Sequence, residues 1–142
     1  MSLKGINAYK KGNIKQDVST ADPHRLTLML MQGGLDRLAY AKGAIERNEY
    51  EAKAEYLSKA TAIIMHLRDT LDIDVGGEMA ENMWALYDFM VQKITEANAK
   101  NSLQSVDEVI SLLTPIRDAW VQIPEAAKQE AYETQRQQHA AV

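Results

Sequence analysis

The sequence predicts an all-α fold, an antiparallel up-down-up-down four-helix bundle preceded by a mobile N-terminal segment. Apolar residues recur at the spacing of one helix face over four separate stretches. Residues that begin or end helices separate these stretches. None of the four stretches alternates apolar and polar residues as a half-buried strand would. We therefore divide the chain into a mobile segment or cap (1–21), the bundle (22–123) and a frayed helix or disordered tail (124–142).

The first two helices of the bundle are predicted from their capping residues. Asp22 is a favoured N-cap and is followed by Pro23 at the first helical position, and the helix is expected to run to about Arg47. Asn48 is predicted to cap the second helix, with Glu51 placed to complete a capping box. The apolar seam of the second helix is Tyr50, Leu57, Ala60, Ile64, Leu67 and Leu71. The short turn between the two helices predicts that they pack antiparallel.

The third helix has an apolar surface wider than one core stripe requires. Residues 71–77 interrupt the helical pattern, Gly76-Gly77 can reverse the chain, and the helix is expected to end near Asn98. Two adjacent rows of apolar residues follow: Met79, Met83, Leu86, Met90 and Ala97 in one, Ala80, Trp84, Tyr87, Val91 and Ile94 in the other. Either one row faces the core and the other a partner, or the helix is wedged between two neighbours.

The fourth helix is predicted to begin at Ser102 or at Ser105, the latter with Glu108 to complete a capping box. Its seam is Leu103, Val106, Ile110, Leu113 and Trp120, widened by Val109, Leu112, Ile116 and Ile123. Pro115 lies inside this helix and predicts a kink, because its nitrogen cannot donate to the carbonyl of the preceding turn. Pro124 is expected to end the helix.

Composition and charge narrow the possible functions. The 142 residues are 46% hydrophobic and 25% charged, which suits one domain with a sizeable core. Cysteine is absent, so neither disulfides nor thiolate metal sites can stabilise the fold. A net charge of −4 disfavours nucleic acid as a partner. The sequence has no run of about eighteen apolar residues and no signal-peptide pattern, so we expect no membrane insertion and a cytoplasmic location.

The sequence offers no convincing catalytic, metal or cofactor site. A di-iron centre in a helical bundle needs paired Glu-x-x-His motifs, but the residue three before His66 is Ile63. The alternative function is a histidine phosphotransfer module using His66, although the residues around it depart from the usual His-x-Leu-Lys-Gly order. The three histidines are widely separated and no phosphate-binding glycine loop is present. We therefore expect a protein that is not an enzyme and uses no cofactor.

Two sequence blocks resemble a known family. Residues 81–90 read Glu-Asn-Met-Trp-Ala-Leu-Tyr-Asp-Phe-Met and are similar to the Glu-Asn-Leu-x-x-Leu-Tyr-Asp-Tyr-Met signature of the flagellar secretion chaperones, the FliS family. Residues 22–35 resemble that family's Ser-Pro-x-x-Leu-Ile-x-Met-Leu-Tyr-Asp-Gly-Ala-Leu, with Met31 and Gln32 in place of Tyr and Asp. Residues 8–10, Ala-Tyr-Lys, match its N-terminal Ala-Tyr-Lys. The resemblance extends from there to about Trp120 and implies the same four-helix architecture.

The resemblance implies an export chaperone that binds the disordered C-terminal region of flagellin in apolar grooves between helices. It also implies handover of flagellin at the flagellar export gate, whose components become further candidate partners. The free chain is expected to be a monomer or a weak homodimer. The expected partner-binding residues are Ile6, Tyr9, Leu28, Met31, Leu35, Asn82, Met83, Tyr87 and Met90. Six of the seven methionines lie between Met29 and Met90, and methionine side chains adapt well to irregular partners.

The N-terminal segment has two possible roles. Its apolar residues fall within half of a helical wheel, but Gly5 and Gly12 weaken a helix, so its order is expected to depend on docking. Family resemblance implies a cap over the surface that flagellin later occupies; the alternative is a flexible leader. Asn82 is similarly open to two interpretations, a contact to a client backbone group or to a loop carbonyl of the bundle itself.

Overall fold

The computed structural model describes residues 22–123 and 125–140, and in these ranges the only regular elements are helices. They are α1 (Pro23–Glu46), α2 (Tyr50–Asp69), α3 (Ile73–Lys100), α4 (Leu103–Val121) and α5 (Glu125–Ala140). α1 packs on α2, α2 on α3, α3 on α4 and α4 on α1, which closes a ring around one core. The short connections make consecutive helices antiparallel. The predicted all-α four-helix bundle is confirmed, and the predicted segment 1–21 lies outside the described residues.

The core is a single cluster of side chains contributed by α1 to α4. Its largest fully buried members are Met31, Leu38, Leu57, Ile64, Met90, Ile94, Leu113, Val106 and Val109. The α2 seam is confirmed from Leu57 to Leu67, but Tyr50 is 60% exposed because it is the first residue of the helix and lies beyond the end of the core. In α4 the predicted seam residues Val106 and Leu113 are fully buried, as is Val109, which was predicted to widen the seam. Leu103, Ile110 and Trp120 are only partly buried.

The turn between α1 and α2 differs from the prediction. Asn48 does not cap α2; its φ of 55° places it in the left-handed region, directly after the last residues of α1. Its N–H donates to the Ile45 carbonyl, and the N–H of Glu49 donates to the Ala44 carbonyl at 2.9 Å. This pair of bonds is a Schellman motif, which satisfies carbonyls at a helix C-terminus. Asn therefore ends α1, and the N-cap of α2 is Glu49, which makes no side-chain capping bond.

The third helix begins earlier than predicted. Asp72 is its N-cap and accepts a hydrogen bond from the Val75 N–H at 3.1 Å. One helical turn follows, and then Gly77, with φ 56° and ψ −136°, kinks the chain before the long straight part of α3. The helix continues to Lys100, two residues beyond the predicted end. The glycine pair thus redirects a helix that has already started, while the chain reversal itself takes place between Asp69 and Ile73.

The ends of α1 and α4 follow the sequence prediction closely. Asp22 Oδ1 accepts from the Arg25 N–H at 2.7 Å, as a capping aspartate should. Of the two predicted starts of α4, Ser102 is correct: it accepts from the Ser105 N–H at 3.1 Å. The helix continues through Pro115 to Val121. α5 is helical from Glu125 to Ala140, so this part of the predicted tail has regular structure.

Among the described helices, none combines the length and the apolar character needed to cross a membrane.

Candidate apolar groove at one end of the bundle

An open apolar groove lies between the beginning of α3 and α5, at the end of the bundle where α2 and α4 finish. Its volume is about 670 Å³. The α3 wall is strongly exposed, with Met79 at 77% and Val75 at 61% of their full accessible surface. The lining residues are Leu71, Asp72, Val75, Gly76, Met79, Ala80, Met83, Trp120, Ala127, Glu130, Ala131, Tyr132 and Thr134. An apolar concavity with exposed, flexible methionines suits a partner's apolar side chains better than a small polar substrate.

The glycine pair gives the α3 wall its shape. A Cβ atom on Gly76 would lie 2.6 Å from the Cβ of Ala80, so no other residue fits there without a shift of the backbone. Gly77 has a positive φ that side chains disfavour. The resulting kink offsets the first turn of α3, with Val75, from the rest of the helix, which carries Met79 and Met83. The groove is therefore a product of the Gly76-Gly77 pair predicted as a turn signal.

His24 and Trp120 join α1 to α4 beside the groove. Their rings are stacked, with centroids 5.1 Å apart and planes 8° from parallel. Trp120 Nε1–H donates to the His24 carbonyl at 2.9 Å, and His24 Nε2 lies 2.6 Å from the Trp120 carbonyl oxygen. Since a carbonyl oxygen only accepts, Nε2 must carry a proton. This reciprocal pair fixes the position of Trp120, which forms part of the groove.

Tyr132 joins α5 to the same end of the bundle. Its hydroxyl oxygen accepts a hydrogen bond from the His24 N–H at 2.5 Å and lies 3.3 Å from Asp22 Oδ1, to which it donates. The N–H groups of a helix's first turn have no partner within the helix. Tyr132 therefore completes the capping of α1, and we call this pair of hydrogen bonds the Tyr132 cap.

Arg68 on α2 links this helix to Asp88 and Trp84 on α3, near the groove but outside it. Arg68 Nη1 donates to Asp88 Oδ1 at 2.9 Å, Arg68 Nε donates to Asp69 Oδ1 at 2.8 Å, and the guanidinium lies over the Trp84 ring at 5.2 Å. The hydrogen bond from Arg68 lowers the pKa of the Asp69 carboxyl. Asp88 of the signature block therefore holds an arginine against an aromatic ring that is still 38% exposed.

The structure separates the predicted partner-binding residues into three groups. Leu28 is half-buried, Asn82 is exposed, and Met83 is half-buried and lines the groove. Four are core residues, with side chains no more than 8% exposed: Met31, Leu35, Tyr87 and Met90. Ile6 and Tyr9 lie outside the described residues. A partner could touch the four core residues only if the bundle rearranged, so a direct contact for them stays a prediction.

The two predicted rows of α3 do not divide as expected. The core takes Met90 and Ala97 from one row and Ala80, Tyr87 and Ile94 from the other, because the buried positions follow one heptad stripe that runs between the two rows. The exposed members lie toward the N-terminal half of the helix, where Met79 and Trp84 are accessible. Sequence reasoning also missed Val75, Trp120 and the α5 wall as parts of one groove. Only the Met79 to Met83 spacing indicated it.

His66, the residue of the alternative function, is exposed on α2, and its carbonyl accepts a hydrogen bond from the Thr70 hydroxyl at 2.9 Å. Within residues 22–123 and 125–140 no group of three or more His, Cys, Asp or Glu side chains could hold a metal ion.

Comparison with known proteins gives a consistent answer. Residues 5–127 match the family described as "Flagellar protein FliS". The flagellar secretion chaperone FliS of Vibrio cholerae is 44% identical over 119 residues, 84% of this chain and 88% of that protein. Flagellar secretion chaperone FliSB of Pseudomonas aeruginosa is 43% identical over 84% of this chain and 94% of its own length. The Salmonella typhimurium FliS is 41% identical over 92% and 98%.

A crystal structure of a flagellar chaperone from bacteria has the same fold, with a TM-score of 0.66 at 16% sequence identity, covering 82% of this chain and 94% of that one. The family match includes both sequence blocks that carried the resemblance, residues 22–35 and 81–90. The chain belongs to the FliS family of flagellar proteins.

Proposed function

We propose that this protein is a cytosolic export chaperone that binds the disordered C-terminal region of flagellin. In this proposal it prevents premature polymerisation of flagellin and keeps it competent for secretion during flagellum assembly. The single observation that supports it best is the apolar groove of about 670 Å³ beside the exposed methionine of α3. The names of the relatives, flagellar secretion chaperones, point to the same role.

The groove suits a client that folds as it binds. An amphipathic helix presents apolar side chains every three or four residues, and a groove with Met79 and Met83 along one wall can accept them in several registers. Ordering a flexible client opposes binding by several kcal/mol, on the order of 2–5. The net affinity is therefore moderate, which allows handover to the export gate by competition and without ATP.

The exposure of each predicted contact residue decides whether a client can reach it. Leu28, Asn82 and Met83 can meet a client in the bundle as it stands. Ile6 and Tyr9 act as the cap that leaves the surface when the client arrives. The remaining predicted contacts, Met31, Leu35, Tyr87 and Met90, join the interface only if client binding separates helices; otherwise they shape it from below.

Calorimetry with a flagellin C-terminal peptide tests the proposal. We expect one-to-one binding with a negative heat-capacity change, because apolar surface is buried. Met79→Gln should weaken binding about tenfold, since it places an amide where an apolar contact forms. Met65→Gln is the matched control: Met65 is also exposed, at 37%, but does not line the groove.

Absence of binding by the full chain would overturn the chaperone role. Equal weakening by Met79→Gln and Met65→Gln would retain the role but move the site away from the groove. Both methionines are exposed, so circular dichroism should show the two variants folded as the parent.

A further inference from the structure

We propose that α5 is a displaceable lid on the apolar groove and competes with the client for it. The inference rests on the proposed function, since it supplies a regulation for the same site. α5 forms one wall of the groove through Ala127, Ala131 and Thr134, opposite the exposed Met79 of α3. In the described residues α5 packs less closely on the bundle than α1 to α4 pack on one another.

The side chains that α5 presents to the groove are too small to fill it. Ala127, Ala131 and Thr134 are spaced at i, i+4 and i+7, so they share one helix face. All three remain exposed although they line the groove, and Met79 beneath them is 77% exposed. A helix with leucine-sized residues at the same three positions would bury more apolar surface. A client helix of that kind can therefore replace α5 with a net gain of contact.

The hydrogen bonds described between α5 and α1 are made by one residue of α5, Tyr132. The Tyr132 cap joins α5 to the first turn of α1 by two hydrogen bonds. Water can satisfy the same groups once α5 leaves, because they belong to the first turn of α1. A lid held in this way closes in the free chain and opens when a better occupant arrives.

The lid lies mostly beyond the family match, although the alignment with the Salmonella typhimurium FliS covers 92% of this chain and so extends into α5. The family match ends at residue 127, whereas α5 extends from Glu125 to Ala140. The groups that receive it, Asp22, His24 and Trp120, lie inside the match. The bundle therefore supplies the groove and the attachment point, and the C-terminal helix supplies the competitor.

Closure can be measured in the full chain without any client. Trp84 and Trp120 are the two tryptophans of the chain, and only Trp120 lines the groove. In a Trp84→Phe background, acrylamide quenching of Trp120 reports how far α5 covers it. Tyr132→Phe should increase the quenching by removing the Tyr132 cap, and Ala131→Leu should decrease it by filling the groove. Tyr50→Phe and Ala99→Leu, both exposed and outside the groove, are the matched controls.

Client affinity gives the second measurement. For the flagellin C-terminal peptide we expect Tyr132→Phe to tighten binding about two- to tenfold, the effect of losing one or two hydrogen bonds that hold the competitor. Ala131→Leu should weaken binding about tenfold, because a better-packed lid is harder to displace. If α5 only supported the fold, Tyr132→Phe and Ala131→Leu would not be expected to change client affinity in opposite directions.

Three results would decide against parts of this account separately. Unchanged Trp120 quenching in both variants overturns the lid, whatever the affinity. Weaker client binding by Tyr132→Phe with increased quenching also overturns it, since α5 would then be part of the binding surface. Quenching that changes as expected, with no peptide binding by any variant, supports closure by α5 and overturns the proposed function instead.

Discussion

The ammonium group of Lys53 on α2 donates a hydrogen bond to the carbonyl oxygen of Asn98 on α3 at 3.0 Å. The same group donates to Asn101 Oδ1, also at 3.0 Å, and Lys53 is only 6% exposed. Carbonyls in the last turn of a helix lack intrahelical partners, and a cation there also interacts favourably with the helix dipole. Lys53 thus secures the C-terminal end of α3 at the end of the bundle away from the groove.

Replacement of this lysine should destabilise the fold. Lys53→Met is expected to lower the free energy of unfolding by about 1–3 kcal/mol, because a half-buried carbonyl loses a charged donor. Urea denaturation followed by circular dichroism measures it. Lys59→Met is the control on the same helix, where the exposed pair with Glu55 should contribute less than about 0.5 kcal/mol. Equal effects of the two substitutions would contradict a special role for Lys53.

The backbone at Gly77 should reject any side chain, although there is space for one. No atom lies within 4 Å of a Cβ placed there, so Gly77→Ala reports the strain of φ 56° and ψ −136° alone. We expect a loss of about 1–3 kcal/mol in thermal or urea unfolding. Asn48→Gly gives the contrast, because Asn48 already has φ 55° and glycine is favoured there. Its stability should stay within about 0.5 kcal/mol of the parent or rise.

Stability should fall at alkaline pH because of Tyr87. Burial raises the pKa of its hydroxyl from 10.0 to about 12, so the folded chain retains a proton that the unfolded chain loses. The contribution is fully present below pH 10 and is lost as pH rises toward 12, by roughly 3 kcal/mol in all. The contribution of Tyr87 is measured by comparing the urea midpoints of the parent and Tyr87→Phe between pH 9 and pH 12. Parallel pH profiles for the two proteins would show that Tyr87 does not titrate in this way.

Met90 and Asn82 should respond to substitution in opposite ways. Met90 is fully buried, so Met90→Ala is expected to lower the free energy of unfolding by about 2–5 kcal/mol through loss of packing and formation of a cavity. Asn82 is exposed, and Asn82→Ala should leave stability within about 0.5 kcal/mol while still testing the client contact by calorimetry. If Met90→Ala were neutral for stability, the helix face assigned to the core would be wrong.

Much of the fold could be predicted from the sequence because its signals are local. Three correct predictions each depend on only a few neighbouring residues. They are Asp22 as the N-cap of α1, Ser102 as one of the two possible N-caps of α4, and the apolar seam of α2. Asn48 was misassigned because asparagine favours both an N-cap and the left-handed position that ends a helix. Only the positions of the Ile45 and Ala44 carbonyls decide between them.

The groove was harder to predict because it is assembled from distant residues. Tyr132 and His24 are 108 positions apart, and no periodicity reports that they meet. The same holds for Trp120, which appeared as one member of the α4 seam but stacks on a histidine of α1. The two apolar rows of α3 are together wider than one core stripe, since Met79 and Trp84 stay exposed, but periodicity alone does not show that the core takes members of both rows.

The antiparallel order of the helices places Asp22, the end of α4 and the Tyr132 cap together, on the side of the bundle that carries the groove. Glu51, exposed at the start of α2 and therefore at the opposite end of the bundle, is a more neutral place for a fluorophore or for attachment to a sensor chip. An engineered cysteine there would be unique, because the natural chain contains none.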